Sequence, residues 1–234
     1  LQDTAVSFEG RAAVTTYDRK GAAKVVSYEQ MKEDAFAVAR ALFENGLAGR
    51  HVAILGENSY DWLSVYFGIA VSGGTAVCID TEHTDDIIVK MILQADTEAV
   101  FASPSMEELA VRACREDPRI QKLVILGENT SEGQTLREFL NSGETQKAKD
   151  WLEGFRPDGK TDASIVYTSG TTSTAKPVRL SHRAILYNAA DALTLLDSRD
   201  RVFNSLPLYH TYGLTGGMMG PLVQGVSVCM SCDT

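Results

Sequence analysis

Between Ile165 and Lys176 the chain places six hydroxyl side chains, Thr168, Ser169, Thr171, Thr172, Ser173 and Thr174, around Gly170, and closes with the ammonium of Lys176. Hydroxyl donors, backbone N–H groups freed by a tight glycine turn and one cation suit the oxygens of a polyphosphate, because charge-assisted hydrogen bonds are stronger than neutral ones. The competing reading is a solvated turn that binds nothing. Residue order separates this stretch from a Walker loop, which runs through Gly-x-x-x-x-Gly-Lys-Ser/Thr into a helix. Here Pro177 biases Lys176 toward extended backbone. Val178 and Leu180 then alternate with Arg179 and Ser181, the period of a half-buried strand. The hydroxyl loop is therefore expected to join strand to strand.

A second stretch, Ser205 to Gly217, contains Tyr209, His210 and Gly213. A lone histidine among apolar residues is more often structural than reactive, so His210 by itself carries little weight. Leu214, Met218, Met219 and Leu222 follow at roughly helical spacing. They read as core or, since Met fills irregular apolar space, as the wall of a pocket for an aliphatic chain.

The two stretches together closely resemble the adenylate-forming family, which includes acyl-CoA synthetases, luciferases and the adenylation domains of peptide synthetases. The first is similar to that family's phosphate-binding signature and continues to match through Val178–His182. The second resembles its next motif, in which an aromatic-His pair closes a strand and opens the carboxylate pocket. Tyr28, Val52–Leu55, Asn58, Ser59, Trp62 and Val77–Asp80 are similar too. The resemblance implies ATP-dependent activation of a carboxylic acid, most like a fatty acid, to an acyl-adenylate and then to a coenzyme A thioester. It implies that Thr168, Ser169, Gly170, Thr171, Thr172, Ser173, Thr174 and Lys176 hold ATP, with Thr168 on Mg2+. It assigns catalysis to Lys176 and His210, His210 acting by position, and the substrate pocket to Tyr209, His210 and Gly213. Arg179 is either a further phosphate contact or an exposed strand charge.

The same resemblance implies motifs for adenine, ribose and a C-terminal lysine that these 234 residues do not contain. The expectation is the N-terminal portion of an AMP-binding domain, inactive in adenylation without the C-terminal part of the same protein. Two departures from the family pattern stand out: Ser173 replaces a glycine, and Ala175-Lys176-Pro177 replaces Pro-Lys-Gly. A Cβ at a positive φ strains a loop, and proline lacks an N–H donor. These departures motivate an alternative, a degenerate relative serving as a non-catalytic interaction module. Within the family, an aryl-CoA ligase or a peptide-synthetase adenylation domain would carry the same two motifs.

Composition sets outer bounds. With 44% apolar residues there is ample material for a core, and 22 basic against 31 acidic residues argue against a nucleic-acid partner. From Val202 to Cys232 there is no charged residue, yet Pro207, Pro221 and five glycines interrupt any membrane-spanning run, so the stretch is expected to be buried. The N-terminus has no basic start followed by an apolar block, and it lacks an initiator Met, which reads as a piece of a longer cytoplasmic protein. Cys229 and Cys232 form Cys-x-x-Cys, but the alternating residues around them read as a strand and no second ligand pair is near. Reduced structural thiols fit better than a redox pair or a zinc site.

The elements that must position these residues alternate along the chain. A capping box at Ser27–Gln30 opens a helix that Gly46 stops. Then follow strand His51–Leu55, helix Tyr60–Ser72, strand Thr75–Ile79, helix Asp85–Gln94, strand Glu98–Ala102, helix Ser105–Arg115 and strand Lys122–Leu126. This rhythm predicts an α/β fold, a doubly wound, mostly parallel sheet flanked by helices. Ile54–Asn58 recurs as Ile125–Asn129, in each case a strand exit with Gly and a helix-capping Asn, which is ordinary turn chemistry. Residues 141–162 are charged and punctuated by glycine, with Trp151, Leu152 and Phe155 anchoring a short helix, and mark a possible subdomain seam.

Overall fold

The computed structural model describes residues 1–17, 21–168, 175–191, 196–197 and 199–231. Its strands are β1 Ala12–Tyr17, β2 Ala23–Ser27, β3 His51–Leu55, β4 Thr75–Ile79, β5 Ala99–Ala102, β6 Lys122–Ile125, β7 Gln134–Thr135, β8 Asp162–Thr168, β9 Lys176–Ser181, β10 Arg201–Asn204 and β11 Ser227–Met230. The helices are α1 Gln2–Ser7, α2 Tyr28–Glu44, α3 Tyr60–Val71, α4 Asp85–Gln94, α5 Glu107–Glu116, α6 Leu136–Asn141, α7 Gln146–Gly154, α8 His182–Asp191 and α9 Gly220–Val223. A π-helical segment, Tyr212–Met219, precedes α9.

The larger sheet has the order β7-β6-β5-β3-β4-β8-β9 and is parallel except for the β8–β9 hairpin. Its central strands are continuous apolar runs because each feeds two cores. Val52 and Ile54 of β3, Ala76 and Cys78 of β4, and Ala99 and Phe101 of β5 join the core that holds α2 and α3. Ala53, Leu55, Val77, Ile79, Val100 and Ala102 point the other way, onto α4 and α5. Successive side chains of a strand alternate between faces, so a strand covered on both sides must be apolar throughout. This is the doubly wound sheet that the alternating pattern predicts.

Local signals set most boundaries. The Ser59 hydroxyl accepts from Trp62 N–H at 3.0 Å and starts α3. Gly46, at φ +71°, ends α2 in a conformation that a Cβ disfavours. The capping box at Ser27 is only half made: Ser27 accepts from the Gln30 N–H, while the Gln30 side chain turns to Asp34 at 2.8 Å. The reciprocal box forms instead at Thr135 and Glu138. Helix α5 starts two residues later than expected, after a short 3-10 turn over Pro104–Met106.

A second, four-stranded sheet of order β10-β11-β1-β2 joins the two ends of the chain, Val14 pairing with Val228. It places the uncharged stretch near the core, although Phe203, on the edge strand β10, and Tyr212, at the start of the π-helical segment, remain 66% and 76% exposed. Strand β9 likewise edges the larger sheet, so the expected half-buried alternation is absent and Lys176 to Arg179 are exposed. Between residues 141 and 162, α7 packs on α2 with Phe43 stacked on Trp151 at 4.5 Å. Among the described residues no helix is long and apolar enough to cross a membrane.

Candidate functional site

The hydroxyl loop springs from the β8–β9 hairpin, as its strand-to-strand expectation requires. Thr168 and Lys176 are cross-strand partners and both are exposed, so the two residues stand side by side at the open end of the sheet. Ser169, Gly170, Thr171, Thr172, Ser173 and Thr174 lie outside the described residues. Arg179 is ion-paired with Asp162 at the opposite end of the hairpin. It is an exposed strand charge, held by a carboxylate at the far end of β8.

Tyr209 and His210 reach the same edge of the sheet from β10. Strands β3 and β4 are adjacent and parallel, yet their following helices cover opposite faces, α3 in one core and α4 in the other. Such a switch point opens a crevice beyond the carboxyl ends of the strands. The segment Leu206–His210 sits on it and is gripped from both strands. From the exit of β3, the Asn58 amide donates to the Leu206 carbonyl at 2.9 Å and accepts from the Leu208 N–H at 2.8 Å. From the exit of β4, Asp80 Oδ2 lies 3.9 Å from His210 Nε2 and 3.6 Å from His83 Nε2, while Asp80 Oδ1 accepts from the Glu82 N–H at 2.9 Å. Because β8 pairs in parallel with β4, Thr168 leaves the sheet on the edge that carries Asp80. The fold thus brings the base of the hydroxyl loop and the Tyr-His pair to one rim.

Tyr209 is buried with its ring 4.8 Å from that of His210, and burial raises the pKa of its hydroxyl, against the opposing effect of a hydrogen bond with Thr81. Gly213 sits where the chain folds back on itself: a Cβ there would lie 2.2 Å from the Pro207 carbonyl oxygen. Its own carbonyl accepts from the buried amide of Asn204 at 3.1 Å, and Asn204 Oδ1 accepts from the Leu206 N–H at 3.1 Å. Two asparagines, one from each flank, therefore satisfy the backbone of the Tyr-His turn.

Asn58 is the residue that sequence reasoning missed. The pentapeptide Ile-Leu-Gly-Glu-Asn occurs twice, yet Asn58 is 1% exposed and Asn129 lies in the open. Ser59, not Asn58, caps α3. No local signal separates the two, since Asn129 is likewise followed by a capping residue, Thr130.

Leu214, Met218, Met219 and Leu222 are all buried. Met219 and Leu222 also line an apolar cavity whose wall includes neither Tyr209 nor His210. Cys229 lies within β11 rather than at a helix N-terminus, the usual seat of a redox pair, and Cys232 lies outside the described residues. Among the described residues no cluster of three His, Cys, Asp or Glu could hold a metal ion.

The family model that matches this chain is described as AMP-binding enzyme and covers residues 1–233. A putative acyl-CoA synthetase, YngI, from Bacillus subtilis (strain 168) is 24% identical across 97% of this chain and 45% of its own length. The 3-methylmercaptopropionyl-CoA ligase of Ruegeria pomeroyi is 24% identical across 90% of this chain and 40% of its own. The apo structure of MbtA from Mycobacterium smegmatis superposes with a TM-score of 0.86 at 19% identity, over 97% of this chain and 42% of that one. The chain spans less than half the length of these relatives.

Proposed function

The chain belongs to the AMP-binding enzyme family, and from that premise we propose that it is the N-terminal portion of the AMP-binding domain of an ATP-dependent acid–thiol ligase. The whole protein would join a carboxylic acid to the adenylyl group of ATP, releasing pyrophosphate, and then pass the acyl group to coenzyme A. The observation that carries this reading is the convergence of Thr168 and Lys176 with Tyr209 and His210 on one rim of the sheet. An acid can then meet a nucleotide only where these two stretches face each other.

In this reading Thr168, Ser169, Gly170, Thr171, Thr172, Ser173, Thr174 and Lys176 surround the β- and γ-phosphates. Preorganised donors matter because an anionic carboxylate must approach a tetra-anionic partner and leave further charge on pyrophosphate. Lys176 contributes the fixed positive charge. Mg2+ would travel with the phosphates and take Thr168 as a protein hydroxyl ligand. Magnesium keeps several waters and relies largely on substrate phosphates, so a single protein hydroxyl beside them fits that mode. Tyr209, His210 and Gly213 shape the entrance of the acid, and His210 orients rather than transfers a proton. The acid is a fatty acid in this reading, on the similarity of Leu206–Gly213 to acyl-CoA synthetases, and the protein is cytoplasmic.

The test is carboxylate-dependent ATP–pyrophosphate exchange by the full-length protein across aliphatic and aromatic acids. Exchange is expected with an aliphatic acid, and Lys176→Met is expected to slow it about 100-fold, the scale of one lost transition-state donor. Exchange by wild type that Lys176→Met leaves unchanged refutes the phosphate role. A second reading, a non-catalytic module, is favoured by Pro177, which occupies β9 opposite Tyr167 and removes a donor at the neck of the loop. Titration calorimetry with Mg-ATP separates the two, since a module gives no heat of nucleotide binding.

A further inference from the structure

An apolar cavity of about 210 Å3 lies between α2, α3, α8 and α9, lined by Met31, Phe67, Ile185, Met219, Leu222 and His182. It shares no residue with the rim that carries Thr168, Lys176, Tyr209 and His210. A dry cavity of about 150 Å3 is enough to hold a benzene molecule, so this one has room for a single ring with a substituent.

His182 gives the cavity one polar pole. Its Nε2 is buried and has no hydrogen-bond partner. The other polar side chains on the wall are Thr4 and Tyr66, and the Tyr66 hydroxyl is already engaged with Ser164 Oγ at 2.7 Å. An orphaned buried nitrogen is costly, and a ligand that satisfies it while filling apolar space recovers both losses. Burial lowers the pKa of His182, which keeps the ring neutral near pH 7. A neutral imidazole presents either an acceptor or a donor at Nε2, depending on its tautomer, and a hydroxyl group can answer both. A carboxylate cannot answer the acceptor form, and its charge makes entry into apolar surroundings unfavourable.

We propose that this cavity is a binding site for a small, neutral, hydroxyl-bearing apolar molecule of one-ring phenol size, its hydroxyl on His182 Nε2 and its body against Met31, Phe67, Met219 and Leu222. The site is separate from the proposed acid pocket in both position and charge preference.

Titration of the full chain with p-cresol, toluene and benzoate, followed through the methionine methyl and backbone amide NMR signals, tests this. Saturable shifts are expected at Met31 and Met219, with p-cresol binding about tenfold tighter than toluene, the ratio for one net hydrogen bond. Benzoate is expected to leave those signals in place. His182→Leu should bring the cresol-to-toluene ratio to about one while toluene still binds. The wild-type ratio alone decides the matter should that variant fail to fold. Equal affinity for cresol and toluene, benzoate binding as tightly as cresol, or linear unsaturated shifts spread over the surface would each overturn the assignment.

Discussion

Replacing Asn58 by Ala removes two hydrogen bonds at once, to the Leu206 carbonyl at 2.9 Å and from the Leu208 N–H at 2.8 Å. Asn58 is 1% exposed and Leu208 fully buried, so water reaches the orphaned Leu208 N–H poorly, whereas Leu206 is 39% exposed and its carbonyl can be hydrated. Each buried polar group left unpaired costs about 1–3 kcal/mol. The loss is therefore expected to be about 1–3 kcal/mol, carried mainly by the Leu208 N–H, a sizeable share of the roughly 5–15 kcal/mol typical of whole domains. The chain contains its own control. Asn129 ends the same pentapeptide but is exposed, and Asn129→Ala is expected to change stability by less than about 0.5 kcal/mol. Urea denaturation of both variants with linear extrapolation measures the difference, and hydrogen exchange at the Leu208 amide reports the local opening of the Tyr-His turn. Equal losses from Asn58→Ala and Asn129→Ala, or unchanged protection at Leu208, refute the view that Asn58 holds this turn on the switch point.

Further outcomes follow from single contacts. Gly213→Ala pushes a Cβ to 2.2 Å from the Pro207 carbonyl oxygen and is expected to cost at least about 2 kcal/mol, whereas Gly154→Ala, with nothing within 4 Å, costs nothing measurable by the same denaturation. Glu107 accepts from the Thr130 hydroxyl and from Ser131, which lowers its pKa from 4.5 to about 2. Its contribution is present above pH 4.5 and lost as pH falls toward 2, so denaturation curves at about pH 6 and about pH 3 should differ less in Glu107→Gln than in wild type. His182, its pKa lowered from 6.5 by burial, imposes no protonation cost above that value and an increasing one below it, because the unfolded chain takes up the proton first. His182→Gln should therefore gain stability relative to wild type between about pH 7 and about pH 5, read from thermal midpoints at each pH.

The Asp80 carboxylate bears on how the rim is arranged. One oxygen faces both His83 and His210 while the other secures the turn through the Glu82 N–H.

What the sequence determines here is local. Alternation of apolar runs with amphipathic stretches marks β4 and α4 at their observed limits, because covered parallel strands must be apolar on both faces and half-exposed helices on one. The proline after Lys176 and the alternation beyond it are enough to make the hydroxyl loop a hairpin rather than a strand-to-helix turn. What only the tertiary structure decides are relations between distant residues. No local pattern pairs Val14 with Val228, and none tells Asn58 from Asn129, since both sit in the same five-residue setting. The difference arises because the chain returns at Leu206–Leu208 above β3 and not above β6, leaving one amide buried with two backbone partners and the other in water.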